Sequence, residues 1–425
     1  MLLIKNGRLI DPKHQIDQVC DLYIDNGKVV SIDQTPAIDV SPTKTIDATG
    51  LVVTPGLIDM NTHLREPGQT QKATIASESA AAVASGITTM VCPPTTSPVV
   101  DSPAVAELIL DRAQATGLAN ILPVGALTQG LKSEQLAPMH ALARSGCVAF
   151  SNGREQISNS LVLLRCLEYA ATHDFLVIFH PQDKDLAGKG CMHDDITCTR
   201  LGLTGIPETA ETVEVSRCLL LVEQTGVRAH FGQLSSEHST RMVIEARKRG
   251  LNVTADVAIH HLLLTDENVN GFNSLFHVIP PLRSQLDRAG LLHALVTDGI
   301  QAICSDHQPH DPAAKQAPFA ATEPGISGLE TLLPLGLMLV EQQLLSLAQL
   351  IEKLTSSPAQ ILDINRGALA VGDIADICIF DPELTWELSP ENCVSAGKNT
   401  PFISVPLKGK VTHTLVNGEL VYQTL

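Results

Sequence analysis

The chain of 425 residues has few aromatic side chains: one Trp, three Tyr and nine Phe make up 3% of it. Small and aliphatic residues are abundant instead, and hydrophobic residues reach 44%. This balance is typical of helices packed closely on a buried parallel sheet, and it argues against an all-β sandwich. It also excludes general disorder, because so much apolar surface suffices for a large core. The length predicts two or three domains, or one barrel with an appendage.

Basic residues are also scarce, since 29 Lys and Arg stand against 46 Asp and Glu and give a net charge of −17. The longest basic run is Arg247-Lys248-Arg249. Binding to a phosphate backbone depends on clustered Lys and Arg, so we expect no nucleic acid partner. The sequence has no charge-free run of about 18 apolar residues and no signal-like N-terminus. We therefore expect no membrane partner and predict a cytoplasmic protein.

The ten cysteines include no C-x-x-C pair. They are dispersed, and several stand in strand-like runs such as Val91-Cys92. We interpret them as buried, reduced thiols. Cys191, His193 and Cys198 resemble a metal cluster only superficially, because no fourth ligand is near, and we interpret this segment as a loop.

Two patterns alternate along the chain. Residues 1–55 read as short strands separated by turns, with Asn-Gly at 6–7 and again at 26–27. In residues 56–364, strand-like apolar runs alternate with helical stretches, for example at 102–116 and 208–224, which is the βα pattern. Eight such runs predict a (β/α)8 TIM barrel; they are residues 56–63, 86–94, 120–127, 147–152, 175–180, 227–234, 252–260 and 300–307. Short strand-like runs separated by turns appear again in residues 365–425, so we expect both termini to form one small β-sandwich-like domain.

Polar side chains follow many of these predicted strands. The carboxyl ends of barrel strands are where a site is built, and this set exceeds ordinary core filling. Such a layout is typical of metal hydrolases, in which His and Asp hold zinc and lower the pKa of its bound water to ~7. The residues are Asp59, Asn61, His63, Arg65, His180, His230, Gln233, His260, His261, Asp306, His307 and His310.

Four motifs along the chain carry a family resemblance. They are TPGLID at 54–59, SDHQPH at 305–310, GLET at 328–331 and GALAVGDIADICIFD at 367–381. They are similar to motifs of the dihydroorotases, members of the amidohydrolase superfamily, and the resemblance covers essentially the whole chain. It implies an amidohydrolase-type barrel with a bipartite β domain. For active members it implies the reversible interconversion of N-carbamoyl-L-aspartate and dihydroorotate in pyrimidine biosynthesis.

The resemblance also implies metal ligands. It assigns His63, His180 and Asp306 to ligand positions, but three further ligand positions carry amides instead, namely Asn61, Asn152 and Gln233. Amides bind zinc weakly, and the loss of a carboxylate removes charge compensation. We expect no resident cofactor, while a single zinc ion on the three surviving ligands stays open. Lys184 as a carboxylated bridging lysine is not favoured by the geometry of its segment.

The positions that hold substrate are changed as well. The resemblance implies that Arg65 and His310 contact the substrate, whereas Thr95 and Ile279 replace two family Asn residues. The loss of an expected hydrogen bond to a polar substrate weakens its binding strongly. In the family Asp306 is also the general base, and we interpret it here as a remnant, because general base catalysis alone does not replace activation of water by a metal.

Three functions are compatible with this sequence. The leading hypothesis is a pseudoenzyme, because segments such as SESAAAVASGITT at 77–89 and APFAATEPGIS at 317–327 resemble the inactive dihydroorotase-like chains of some bacterial aspartate carbamoyltransferases. That resemblance implies the aspartate carbamoyltransferase catalytic chain as partner, in a homo- or hetero-oligomer. The alternative is an active, weak or mononuclear zinc dihydroorotase, and a third possibility is a hydrolase of another cyclic amide or imide. Residues 311–325 have loop composition and form either a mobile active-site loop or a plain surface excursion.

Overall fold

The computed structural model describes residues 1–34 and 42–424. Residues 35–41 and 425, which fall in the two predicted terminal regions, lie outside the described residues. The described strands, in chain order, are β1 (Leu2–Asp11), β2 (Ile16–Asp25), β3 (Lys28–Ile32), β4 (Lys44–Asp47), β5 (Val52–Pro55), β6 (Leu57–Asp59), β7 (Ile87–Cys92), β8 (Asn120–Ala126), β9 (Ala149–Ser151), β10 (Val177–Phe179), β11 (Met192–His193), β12 (Gly205–Ile206), β13 (Ala229–Phe231), β14 (Val253–Ala258), β15 (Ala302–Cys304), β16 (Ile377–Glu387), β17 (Pro406–Val416) and β18 (Glu419–Gln423).

The helices lie mainly between the strands of the middle region. The α-helices are α1 (Ile75–Ala84), α2 (Pro103–Thr116), α3 (Met139–Arg144), α4 (Ser160–Thr172), α5 (Lys184–Ala187), α6 (Ile196–Leu201), α7 (Thr209–Thr225), α8 (Glu237–Lys248), α9 (Gln285–Val296), α10 (Leu332–Glu341), α11 (Leu347–Leu354) and α12 (Ser356–Leu362). Short 3-10 helices span Gln129–Leu131, Ile259–Leu262, Asp266–Val269, Ser274–Phe276, Pro312–Lys315, Phe319–Ala321 and Leu329–Thr331.

Eight parallel strands form the predicted barrel, in the order β6-β7-β8-β9-β10-β13-β14-β15. Each of the eight predicted apolar runs contains one of these strands, so the barrel prediction is confirmed. Main-chain hydrogen bonds close the ring: His63 N donates to His307 O at 2.9 Å, and His307 N donates to Asn61 O at 3.2 Å. This closure places the residues that follow β6 beside those that follow β15.

Capping residues set the ends of the barrel helices. Helix α2 begins with a proline at its first position, where the missing N–H costs nothing, and it ends at Gly117 in the left-handed conformation (φ +62°). Helix α7 ends in the same way at Gly226 (φ +70°). In α1, Ala81 and Ala82 are fully buried, because alanine lets a helix approach the barrel closely. Helices α2 and α7 confirm the helices predicted at 102–116 and 208–224.

The strands from the two termini hydrogen-bond into one additional sheet. Its order is β18-β17-β16-β5-β1-β2-β3, and β4 pairs with β1. Strand β16 from the C-terminal region runs antiparallel to β5 from the N-terminal region, which joins the two parts. The buried side chains of Ile4, Leu9, Val53, Ile377 and Leu415 form its core. The predicted bipartite β domain is present, while the boundaries at 55 and 365 stay predictions.

Two further observations concern the whole chain. Across residues 1–34 and 42–424, no helix has both the length and the apolar character needed to cross a membrane. All ten cysteines are free and buried, as the sequence predicted.

Candidate functional site

The candidate site lies at the mouth of the barrel, where the carboxyl ends of the strands meet. Closure between β6 and β15 brings residues that are about 245 positions apart into contact. The side chains that surround the mouth follow six strands: Asn61 and His63 follow β6, Asn152 and Arg154 follow β9, His180 follows β10, Gln233 follows β13, His260 follows β14 and Asp306 follows β15.

Asp306 is the buried acidic group of the mouth, with only 1% of its side chain exposed. Its Oδ1 accepts a hydrogen bond from Asn61 Nδ2 at 2.7 Å, and Arg154 Nη2 lies 3.2 Å from each of its two oxygens. Gln308 Nε2 adds a longer contact at 3.3 Å. Burial raises the pKa of Asp306 to about 6, although Arg154 and the two amides act in the opposite direction. The protein itself therefore supplies donors to both carboxylate oxygens.

Arg154 is the residue that the sequence analysis missed, since no role was assigned to it in Ser151-Asn152-Gly153-Arg154. Its guanidinium lies between Asp306 and Gln233, whose Oε1 is 3.3 Å from Nη2. The side chain is 26% exposed, so it enters the mouth from the solvent side. The available signal was a basic residue three positions after the end of β9, in a barrel whose last strand is followed by an aspartate.

His63 and His180 both lie at the mouth and are partly buried. Burial, followed by the charges on Arg65 and Arg154, holds the pKa of His63 well below its usual value. Burial and the charge on Arg154 lower the pKa of His180 to about 3. Both imidazoles are therefore neutral at physiological pH. His180 Nδ1 has no hydrogen-bond partner within the described part of the chain.

Two of the amides at expected ligand positions make different contacts. Asn152 joins two loops: its Oδ1 accepts from Thr128 Oγ1, in the loop after β8, at 2.8 Å, and its Nδ2 donates to Glu155 O in its own loop at 2.8 Å. Gln233 instead turns its Oε1 toward Arg154. The backbone N–H of Gln233 donates to Asp256 Oδ1 at 2.6 Å, which holds the residue at a left-handed φ of +50°.

The donor set can be compared with what zinc requires. Zinc in proteins is held by three or four ligands drawn from Cys, His, Asp and Glu. Among residues 1–34 and 42–424, no three such side chains converge in a way that could hold a metal ion. The guanidinium beside Asp306 would also repel a divalent cation at that position. The residues present therefore do not fit a zinc ion, and the assignment of His63, His180 and Asp306 as remnant ligands stays a prediction.

The structure brings together the two predicted substrate contacts, Arg65 and His310. Arg65 Nη2 lies 3.2 Å from His310 Nε2, and Arg65 Nε donates to Pro309 O at 3.0 Å. Lys72 Nζ lies 3.3 Å from the other ring nitrogen of His310 and forms an ion pair with Glu323. Burial, followed by the charge on Arg65, lowers the pKa of His310 to about 4.

Glu323 belongs to residues 311–325, hereafter the 311–325 loop. This loop contains two of the short 3-10 helices, and its Phe319 is buried. The Glu323 carboxylate lies 3.4 Å from His310 Nδ1. The loop therefore brings an anion of the chain itself beside the residues that the resemblance assigns to substrate binding. The mobile active-site loop stays a prediction.

The two predicted replacements of family Asn residues lie in different surroundings. Thr95 is exposed and shares a recess of about 320 Å³ with His63 and Arg65. Ile279 packs against the apolar side chains of Ile206 and its neighbours. The structure thus groups Thr95 with the arginine and the histidine of the mouth, whereas Ile279 contributes an apolar contact.

Other polar residues at the strand ends have partners elsewhere in the barrel. His230 contacts Asp256 at 2.9 Å and Thr254 at 2.8 Å, and His307 contacts Glu78 at 2.8 Å, so both serve packing of the barrel. Asp59 accepts from Ser305 and Thr62, and its pKa is raised by burial.

The remaining weaker candidates are structural or exposed. The interpretation of the segment from Cys191 to Cys198 as a loop is wrong in part, because His193 pairs with β12 as part of β11 and Cys198 lies in α6. Arg283 Nη1 lies 3.1 Å from His193 Nδ1. His260 and His261 are buried, with ring centroids 4.6 Å apart and ring planes tilted by 39°. Lys184 is exposed at the start of α5.

Comparison with known proteins gives consistent matches. Residues 50–239 match the family model described as dihydro-orotase-like. A dihydroorotase-like protein from Pseudomonas aeruginosa is 52% identical over 420 residues, which cover 99% of both chains. A dihydroorotase from Geobacter sp. (strain M21) is 42% identical over 422 residues and again covers 99% of both chains.

A solved structure shows a similar fold. An L-hydantoinase (dihydropyrimidinase) from Arthrobacter aurescens superposes with a TM-score of 0.87, covering 99% of this chain and 96% of that one. The two sequences are 24% identical, so this likeness shows the shared barrel with its additional β domain and nothing further.

Proposed function

Since the chain belongs to the dihydroorotase family of the amidohydrolase superfamily, we propose that it is a member without hydrolase activity of its own. In this proposal it acts in pyrimidine biosynthesis as a structural partner of the aspartate carbamoyltransferase catalytic chain. The family, and with it the link to pyrimidine metabolism, rests on relatives that match nearly the whole chain.

One observation carries the proposed loss of activity: the contacts of Asp306. A general base needs a free oxygen within hydrogen-bond reach of the water that it deprotonates. Here both oxygens of Asp306 accept hydrogen bonds from Arg154, and Oδ1 accepts a further one from Asn61. The guanidinium is a permanent cation that offers no open coordination position, so it cannot activate water as a metal does. The amides at Asn61 and Gln233 support the same proposal.

The proposed partner rests on the resemblance of sequence segments to the inactive chains associated with aspartate carbamoyltransferase. We propose a hetero-oligomer on the same ground. The ten free and buried cysteines support a reducing compartment, in agreement with the proposed cytoplasmic location.

The alternative function is an active dihydroorotase with a weak or mononuclear zinc site. Its support is that His63, His180 and Asp306 are all retained at the mouth, and that the 42% identical relative from Geobacter is named a dihydroorotase. Hydantoin and dihydropyrimidine test the third possibility, a hydrolase of another cyclic amide or imide.

The first experiment measures dihydroorotate hydrolysis, and the reverse cyclisation of N-carbamoyl-L-aspartate, at several pH values with added zinc. Wild type and Asp306→Ala are assayed side by side, with hydantoin and dihydropyrimidine in parallel. We expect neither protein to show turnover of any of these substrates. Turnover that disappears in Asp306→Ala would establish the enzyme alternative instead.

The second experiment tests the partner. The chain is mixed at micromolar concentration with an aspartate carbamoyltransferase catalytic chain from the same organism and passed over a size-exclusion column. We expect the two chains to elute together at a mass above that of either alone. Separate elution at that concentration would reject the proposed assembly, whatever the activity assay shows.

A further inference from the structure

The guanidinium of Arg154 occupies a central position at the barrel mouth. In the described residues it is the only basic side chain that forms an ion pair with Asp306. Because Asp306 is almost completely buried, an ionised carboxylate there needs a counter-charge, and the desolvation penalty is otherwise severe. Arg154 supplies that charge from a different strand end.

The influence of Arg154 extends around the mouth. Besides burial, its charge contributes to lowering the pKa values of His63, His180, His260 and His261. These histidines follow the first, fifth and seventh strands of the barrel, and Asp306 follows the eighth. Its direct contacts are the Asp306 carboxylate and the Gln233 amide, while its charge also acts on histidines that follow three other strands.

We propose that Arg154 takes the place of a metal ion in this barrel, as a permanent organic cation that neutralises Asp306 and holds the strand ends together. The inference uses the misfit between the donor set and zinc, so it rests on the proposed loss of a metal site and not on the proposed partner.

The loop that carries Arg154 has a constrained backbone that fixes where the arginine side chain starts. Gly153 adopts φ +60°, and a Cβ at this position would lie 2.6 Å from Thr95 Cγ2, so the backbone passes close to a neighbouring loop. The Gly153 N–H donates to Ser151 Oγ at 2.9 Å, and Asn152 is tied to Thr128 and Glu155. An arginine delivered from so constrained a turn has little freedom to leave the mouth.

A guanidinium and a metal ion differ in ways that can be measured. A chelator removes zinc but not an arginine side chain, so EDTA should not change the stability of the folded protein. Removal of the arginine should leave the buried Asp306 carboxylate without its ion-pair partner, and this cost should not arise where Asp306 has already been made neutral. The cost of losing Arg154 should therefore depend on Asp306 and not on added metal.

The experiment uses the tag-free full chain and four variants: Arg154→Met, Asp306→Asn, the double variant of both, and Arg366→Met as matched control. Arg366 pairs with Asp376 in the region of the additional sheet, with side chains 19% and 3% exposed against 26% and 1% for Arg154 and Asp306. The control thus removes a similar ion pair away from the mouth. The melting temperature Tm is measured with EDTA, with Zn²⁺ and with Co²⁺.

We expect EDTA to leave the Tm of wild type unchanged. Arg154→Met should lower Tm by about 5 °C or more, because a buried carboxylate loses its partner. In the Asp306→Asn background the same Arg154→Met change should lower Tm by less than about half as much, because no buried charge is left unpaired. Arg366→Met gives the cost of losing a similar ion pair away from the mouth. Zn²⁺ and Co²⁺ should raise the Tm of none of these proteins, since no three ligand side chains converge among the described residues.

Three results would overturn the proposal. They are a fall in wild-type Tm with EDTA, an Arg154→Met Tm equal to that of wild type, and an Arg154→Met change that lowers Tm as far in the Asp306→Asn background as in wild type. If Arg154→Met does not fold, the double variant tests the proposal in its place. Removal of both charges should yield a folded chain, and an unfolded double variant would reject the proposed pairing. These readouts are independent of turnover and co-elution, so failure of this inference is distinguishable from failure of the proposed function.

Discussion

His260 offers a direct test of how the barrel mouth keeps its imidazoles neutral. The side chain is 1% exposed, and neither ring nitrogen has a hydrogen-bond partner within the described residues. Burial, followed by the charges on His261 and Arg154, holds the pKa of His260 well below 6.5. The perturbation we choose is His260→Phe, which keeps a planar ring and removes the titratable group without breaking a hydrogen bond.

The sign and size of the effect follow from proton linkage. Because the folded pKa is depressed, the unfolded chain binds the proton more readily, so His260 contributes stability above pH 6.5 that is lost as the pH falls. Between pH 7.5 and 5.0 the unfolded histidine gains its proton over about 1.5 pH units, at about 1.4 kcal/mol each, which amounts to about 2 kcal/mol. His260→Phe should abolish that share of the acid destabilisation.

The assay is urea unfolding at pH 7.5 and pH 5.0, with the free energy of unfolding compared between wild type and variant. The control is His293→Phe at an exposed position on α9, which should keep the wild-type difference between the two pH values. His260→Leu serves as a second variant if the larger ring strains the site. If His260→Phe loses as much stability as wild type on acidification, the reasoning is refuted.

Three further predictions follow from the packing. Lys72→Met removes the ammonium that pairs with the 311–325 loop, so the amides of that loop should exchange hydrogen faster, and unchanged rates would contradict the contact. Gly86→Ala (φ +77°) would bring a Cβ against Cys378 Sγ, whereas the Cβ of Gly226→Ala (φ +70°) would meet no atom within 4 Å. Gly86→Ala should therefore lower the free energy of unfolding by about 2 kcal/mol more than Gly226→Ala does. Equal losses in the two variants would argue against this packing. The ten cysteines are buried, and burial raises the pKa of several of their thiols to about 12. A disulfide reagent at pH 8 should therefore label these thiols only after the chain unfolds. Rapid labelling of the folded chain would contradict their burial.

Sequence patterns predict where the residues of the candidate site lie, but they do not predict the partners of these residues. The positions of Asn61, His63, His180 and Asp306 at strand ends follow from local patterns, since an apolar run that ends in a polar residue marks the mouth of a barrel. The partners of these residues do not follow. Arg154 and Asp306 are separated by 152 residues, and their contact depends on the directions in which two strand ends point.

Similar strand-end histidines also have different roles that the sequence does not distinguish. His230 turns to Asp256 on the neighbouring strand and His307 to Glu78 on a helix, so both are used in packing, while His63 and His180 stay at the mouth. His63, His180 and His307 follow barrel strands, whereas His230, which the sequence placed at a strand end, is the central residue of β13. Which side of the strand each occupies is decided by the pleat and by the neighbour that it meets, and both depend on the closed barrel.

The sequence by itself determined the eight barrel strands, the return of both termini to a β domain and the membership in the family. The physical reason is that each of these depends on local periodicity or on contiguous motifs. The tertiary structure alone decided that a guanidinium lies against Asp306, that Asn152 accepts from Thr128 of a neighbouring loop and that Glu323 is brought beside His310. These contacts join distant segments, and only closure of the barrel and the course of the loops over its mouth bring them together.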